Sequence, residues 1–368
     1  MKFDLPQLAV QGSPKAMGQQ QGEHWREAIQ KFVDVRWQAL QTYLSDRQTL
    51  LPDWVSITQA CMSLHRDWHE DGLSEHEGIA EGALIDPVKL YLTTNMTDIR
   101  DIFVLGTDPQ EEGCTSILLP GAKTKSKLPI VGQTWDLNPP DIEFVAAIHR
   151  SPTHGLKSWT VSCVGCLSLV GINEKGVCVG TTNIKTEGSK AGIGYLGLLH
   201  KLLQMKSSRQ AGHIINQAPR SGAHVYWVAD AHDQFEFETS PNRVVVRSAE
   251  NELVCHTNHC LDAVHQSIQG EVASESSQKR VKRMEDVFAD GRYSAHDVKL
   301  AFSNRDDGIF SVNRYAEDEQ GTATNSVMIA EPHAKRAFMC RGPADRGQWY
   351  IADFETTSLK PYEWTASD

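Results

Sequence analysis

The hydrophobic pattern changes character once along the chain. Up to about residue 103 apolar positions recur at helical spacing. The run KAMGQQQGEHWREAIQKFVDVRWQALQTYL places Trp25, Ile29, Phe32, Val33 and Leu40 near one stripe. Ser13-Pro14 before it is an N-cap followed by proline at the first helical position. Gly18 and Gly22, four apart on one face, suit close packing against another element. A second helical stretch follows Pro52, and a third opens at Asp86-Pro87 and runs VKLYLTTNMTDIRDIF.

After residue 113 short β-branched and apolar runs alternate with turn residues. They are LPIVGQTW, EFVAAIH, SWTVSCV, LSLVGI, VCVGTTN, HVYWVAD, QFEFET, RVVVRS, ELVCHTN, SVMIAEP, RAFMCRG and WYIADF. Connections of three to five residues, such as Asn173-Glu174-Lys175-Gly176, predict antiparallel hairpins. Several runs are apolar at nearly every position, as in a sheet covered on both faces. Helical patterns return over 192–206, 274–290 and 294–302. With no linker and no internal repeat, these elements predict one α+β domain of two antiparallel sheets packed face to face with helices outside.

Composition narrows the function classes. With 368 residues, 40% hydrophobic and 23% charged, the chain reads as globular and not disordered. A net charge of −11 argues against nucleic acid as a partner. The one basic run, Lys279-Arg280-Val281-Lys282-Arg283, has the spacing of an exposed helix face. The N-terminus lacks the apolar core of a signal peptide, and no run is long enough to span a membrane, so a cytoplasmic location is expected. The eight cysteines then read as thiols and not as a disulfide framework.

Cys163-x-x-Cys166 and CHTNHC (255–260) carry thiolates and imidazoles at loosely zinc-like spacing. Strand parity would send Cys163 and Cys166 to opposite faces. A zinc-stabilised binding protein therefore stays as a remote alternative. There is no P-loop, dinucleotide fingerprint or G-x-S-x-G elbow. His149, His200, His265 and His296 read as surface or core residues.

The sharper candidate is DPQEEGCTSILLPG, where Cys114 follows Gly113 at the mouth of an apolar strand. No local histidine partners this thiol. Cleavage of the Gly113–Cys114 bond would instead give the cysteine its own α-amine as a base, with a pKa of about 7.7–8 beside a thiol of about 8.5. A buried cysteine opening a strand is the plainer reading of those residues alone. Three later strands end on groups suited to such a thiol: Asp136 in VGQTWDL, Asn183 in GTTN and Asn258 in HTN. A carboxylate to hold an ammonium and two amides to donate to an oxyanion are what acyl transfer through sulfur needs.

In order and spacing, QGSPKAMGQQQGEHWREAIQ, HEGIAEGALIDPVKLYLTTN, EGCTS, VGQTWDL, VGINEKGVCVGTTN, CHTNHC and SSQKR resemble the acyl-coenzyme A:6-aminopenicillanate acyltransferase (isopenicillin-N acyltransferase-like) family. These are N-terminal-nucleophile (Ntn) hydrolases related to penicillin V acylases and bile salt hydrolases. The resemblance implies an αββα sandwich and self-cleavage between Gly113 and Cys114. An α fragment (1–113) and a β fragment (114–368) would remain associated as one domain. It also implies Cys114 as nucleophile with its amine as base, Asp136 orienting that amine, and Asn183 and Asn258 as oxyanion donors. Arg280 would order the nucleophile or substrate, and Gln133 and Trp135 would border the substrate. Gln133 stands where the bile salt hydrolases carry an arginine, and a neutral amide cannot lower a thiol pKa by charge. The expected substrate is a small acyl amide cleaved without cofactor or metal. Acyl transfer to an amine is the alternative, with an acyl-coenzyme A donor as one option.

Overall fold

The computed structural model describes residues 3–47, 50–103 and 113–365. It contains a mixed eight-stranded sheet and a seven-stranded sheet among these residues. The larger runs in the order Gln7–Gly12, Val145–Pro152, Ser158–Cys163, Val170–Asn173, Cys178–Asn183, His224–Ala229, Gln234–Ser240 and Arg243–Ser248. The smaller runs Val254–His256, Thr115–Leu119, Ile130–Leu137, Ala323–Glu331, Arg336–Arg341, Trp349–Ala352 and Lys360–Pro361. All pairings are antiparallel except that of Gln7–Gly12, which lies parallel to Val145–Pro152. A pattern of local hairpins gives no sign of a strand that pairs across more than a hundred residues.

The sheets face each other across one apolar core, with Val131, Met328 and Met339 of the smaller against Trp159 and Trp227 of the larger. Leu198, Leu202 and Ile215, from the helices Tyr195–Leu202 and Ser208–Gln217, belong to the same core. On the far side, Val281, Met284 and Phe302 of the helices Glu275–Val287 and Ala295–Ser303 cover Ile117, Ile329 and Phe338. This is the helix–sheet–sheet–helix order expected of an αββα sandwich, and central strands such as Thr115–Leu119, Ser158–Cys163, His224–Ala229 and Ala323–Glu331 are buried along their whole length.

The first helical run breaks at Trp25 into Pro14–His24 and Arg26–Arg47, with Ser13 Oγ accepting from the Ala16 N–H at the start. The third run breaks at Asn95 into Pro87–Thr94 and Met96–Phe103. A helix that the apolar pattern hides, Glu70–Ala83, carries Gly78 and Gly82 against Gly18 and Gly22. A Cβ on Gly18 would lie 2.0 Å from the Glu75 carbonyl oxygen, and one on Gly78 would lie 2.2 Å from that of Lys15. The two helix backbones therefore touch.

Gly18→Ala should lower stability by about 1–3 kcal/mol, although alanine is the better helix former by nearly 1 kcal/mol. Denaturant unfolding reads the difference. An unchanged or higher midpoint would contradict this packing.

Candidate active site

Strand parity sorts the side chains around Cys114. In Ile130–Leu137, Gln133 and Trp135 point between the sheets, toward Thr181 and the inter-sheet core. Thr134 and Asp136 take the other face. The partner strand Ala323–Glu331 shifts register between Thr324 and Ser326, opposite Asp136 and Trp135. Such a bulge adds local twist and redirects side chains. Cys114 lies just before Thr115–Leu119, so both faces meet around it at the end of the strands.

Cys114, Trp135, Asp136 and Asn183 share one narrow cavity of about 30 Å³, walled further by Thr97, Leu169, Tyr195 and His224. The cysteine is 5% exposed, and its Sγ–H lies 3.9 Å from the Asp136 carbonyl oxygen. Asn258 and Arg280 stand behind it. The Arg280 guanidinium donates to the Cys114 carbonyl at 2.5 Å, to Thr115 Oγ1 at 2.9 Å and to Asn258 Oδ1 at 3.0 Å. Asn258 Nδ2 donates to the Asn183 carbonyl at 3.0 Å, and its backbone N–H to Ser277 Oγ at 2.8 Å. The basic run containing Arg280 is thus not simply an exposed face. Lys279 and Lys282 are exposed, whereas Arg280 has no exposure at all.

Asp136 is fully buried, and neither carboxylate oxygen makes a well-directed hydrogen bond to a described residue. Burial pushes its carboxyl up to about 6, against the pull of Arg314 first, then Arg280 and the Thr324 and Thr134 hydroxyls. Arg314, which the sequence pattern did not single out, is also fully buried. It donates to Thr322 Oγ1 at 2.6 Å, Gln320 Oε1 at 3.0 Å and Ser276 Oγ at 3.2 Å, and Ser276 also accepts from Arg280 Nε at 3.3 Å. Gly113 fills the space between: a Cβ there would lie 2.3 Å from Arg314 Nη1 and 2.9 Å from Asp136 Cβ. The polar approach before Gly113, residues 104–112, falls outside the described residues.

Gln133 is placed elsewhere than the cavity wall. Its amide donates to the Thr181 carbonyl at 2.6 Å and accepts from the Thr181 N–H at 2.9 Å and Trp227 Nε1 at 2.6 Å. It ties one sheet to the other. Cys163 and Cys166 do not point apart as parity suggested. A turn with Gly165 at φ +84° follows the strand, and both thiols line a small neighbouring cavity with Arg36, Trp135 and Tyr195. No disulfide forms among the cysteines, and no group of three or more His, Cys, Asp or Glu among the described residues is arranged to hold a metal. A larger chamber of about 220 Å³, bordered by Arg36 and Arg100, shares Thr97 and Leu137 with the Cys114 cavity.

A family model described as acyl-coenzyme A:6-aminopenicillanic acid acyl-transferase matches residues 122–345. The chain belongs to this family. The matched span holds Asp136, Asn183, Asn258, Arg280 and Arg314, and begins after Cys114. The family takes its name from an acyl-transferring enzyme. Among solved structures, penicillin V acylase from Agrobacterium tumefaciens aligns at 13% identity with a TM-score of 0.43, over 66% of this chain and 87% of that one. A variant of conjugated bile acid hydrolase from Clostridium perfringens aligns at 13% identity with a TM-score of 0.47, over 68% and 97%. No curated protein matches the chain. No described helix is long and apolar enough to cross a membrane.

Asp136 imposes a pH dependence whose sign is fixed by its raised pKa. The folded state holds the proton between about pH 4 and 6 while the unfolded state releases it, so stability is lost as pH rises through that window. In the uncut chain, Asp136→Asn should remove a loss of about 2–3 kcal/mol between pH 4 and pH 7. Parallel unfolding curves for the two proteins at both pH values would contradict it.

Proposed function

We propose that the chain is a self-processing cysteine hydrolase that cleaves a small acyl amide through a thioester on Cys114. The observation that carries this reading is Asp136. It is a fully buried carboxylate, packed against Gly113 and sharing a cavity with Cys114. Burial still outweighs the pull of Arg314 and Arg280 on this carboxylate, and an α-ammonium on Cys114 would add a counter-charge beside it.

In the processing step, Cys114 Sγ attacks the Gly113 carbonyl carbon, the C–N bond breaks, and the nitrogen leaves as the α-amine of Cys114. Water then resolves the thioester, leaving Gly113 with a carboxylate and the thiol regenerated. In turnover the α-amine takes the thiol proton while sulfur attacks the substrate carbonyl. The amides of Asn183 and Asn258 stabilise the oxyanion, and the departing amine recovers the proton. One of the two Asn258 Nδ2 hydrogens is already held by the Asn183 carbonyl, which leaves the other for this task. Arg280 acts by positioning, holding the nucleophile's own carbonyl. Gln133, bound to Thr181 and Trp227, acts as a support for the cavity and not as a contact to substrate.

The fragments 1–113 and 114–368 stay associated in this account. Buried ion pairs support it: Arg36 with Asp141, and Arg150 with Glu75 at 2.7 Å. Removing one member of such a pair typically costs about 3–5 kcal/mol. The family description favours a second reading, acyl transfer from a thioester such as an acyl-coenzyme A, or from an amide, to an amine.

Intact-mass measurement of the purified protein should find two chains, the second beginning at Cys114, and a single uncut chain for Cys114→Ala. An uncut wild type with the activity of Cys114→Ala sinks the reading. Incubation with a panel of acyl amides, with and without an added amine, should yield the carboxylic acid in both arms. A new amide formed at the acid's expense in the second arm would establish acyl transfer instead.

A further inference from the structure

The cavity that holds Cys114 has a second ionisable group in its wall that the mechanism above leaves unused. His224 begins the strand His224–Ala229 and pairs in register with Asn183 on the neighbouring strand, so the two side chains share a face. His224 Nε2 is 2.8 Å from Asp98 Oδ1, and both residues are almost wholly buried. The other carboxylate oxygen of Asp98 accepts the Tyr195 backbone N–H at 2.8 Å. Asp98 therefore has a partner on each oxygen. Its place is cleared by two glycines: a Cβ on Gly222 would lie 2.6 Å from Oδ1, and one on Gly194 would lie 3.3 Å from Oδ2. Tyr195 packs along the imidazole at 4.9 Å between ring centres.

A carboxylate accepting from Nε2–H fixes the tautomer and leaves the lone pair on Nδ1. That Nδ1 is buried and has no hydrogen-bond partner among the described residues. A nitrogen base held by a carboxylate, in the wall of a thiol's cavity, has the makings of a general base assembled from distant segments. His265, held by Glu238, likewise has a buried nitrogen without a partner among the described residues, and what sets His224 apart is its place in the wall of the Cys114 cavity.

We propose that His224, oriented by Asp98, is a catalytic residue of the second half-reaction, taking the proton of the acyl acceptor. The inference rests on Cys114 carrying the acyl group. The acceptor's oxygen or nitrogen bonds to the thioester carbon while its proton passes to Nδ1. The C–S bond then breaks with its electron pair returning to sulfur, and the imidazolium gives the proton to the thiolate. Water or an amine fits this role equally, and the Cys114 amine is left to serve the acylation step.

The test uses full-length processed protein and a 4-nitrophenyl ester of a short fatty acid as acyl donor. Intact mass reports cleavage and acylation of the Cys114 chain, and nitrophenol release separates the burst from steady turnover. His224→Gln should still be cleaved and acylated at near wild-type rates, but should deacylate about 100-fold or more slowly, so that acyl-enzyme accumulates. Asp98→Asn, which keeps an acceptor for the Tyr195 N–H, should slow deacylation at least about tenfold by releasing the tautomer. It carries the test if His224→Gln does not fold. Deacylation at the wild-type rate in a folded, cleaved variant overturns the proposal, as does equal slowing of acylation and deacylation, which a structural role would give. A wild type that is neither cleaved nor acylated on Cys114 would overturn the proposed function itself.

Discussion

The Arg280 guanidinium is buried without exposure, and a buried charge persists only where its donors are met. Its partners come from separate parts of the chain: the backbone of Cys114, the Thr115 hydroxyl, Ser276 on its own helix and Asn258 after the strand Val254–His256. One side chain thus locks the Cys114 end of the strand Thr115–Leu119 to two segments beside the cavity. Arg314 extends the set through Ser276 and presses on Gly113, and the two cations together offset part of the cost of burying Asp136. Charged hydrogen bonds of this kind are short and directional, which suits a site where misplacement by an ångström is expensive in rate.

The helical first third is part of the same construction. Thr97 borders the Cys114 cavity, Asp98 holds His224, and Arg36 lies between the two adjoining cavities. Glu75, on the helix that packs by glycine contact against Pro14–His24, is joined to Arg150 of the larger sheet. The segment before Cys114 therefore contributes walls and charges to the cavity as well as covering the core.

Much of this was legible in the sequence. The alternating apolar runs located the strands of the two sheets after residue 120, and the cap-plus-proline pairs located helix starts at Ser13 and Asp86. The helix Glu70–Ala83 was not legible, because Leu73 and Ile79 are the only large apolar residues on a buried face made otherwise of Gly, Ala, His and Glu. Gln7–Gly12 was missed because its partner lies far along the chain. That Asp136, Asn183 and Cys114 come together around one cavity could be anticipated because each stands at one end of a strongly patterned strand. Arg314, in a polar loop, and His224, at the start of an apolar strand, have no local signature. Cys163 and Cys166 were assigned opposite faces because parity assumes a strand that continues, and the turn at Gly165 ends it.

Taken alone, the sequence determined the period of each element, the αββα layering that burying those elements requires, and the residue types available at strand ends. These depend on local propensity and on apolar burial, which act over a few residues or on any surface of the right pattern. Only the tertiary structure decided which polar side chains meet. Arg280 turned inward from a basic run, Gln133 went to the sheet–sheet seam, and Asp98 came to His224 across 126 residues of chain. Such pairings are set by the three-dimensional requirement that most buried donors and charges find a partner, and sequence spacing carries no measure of it.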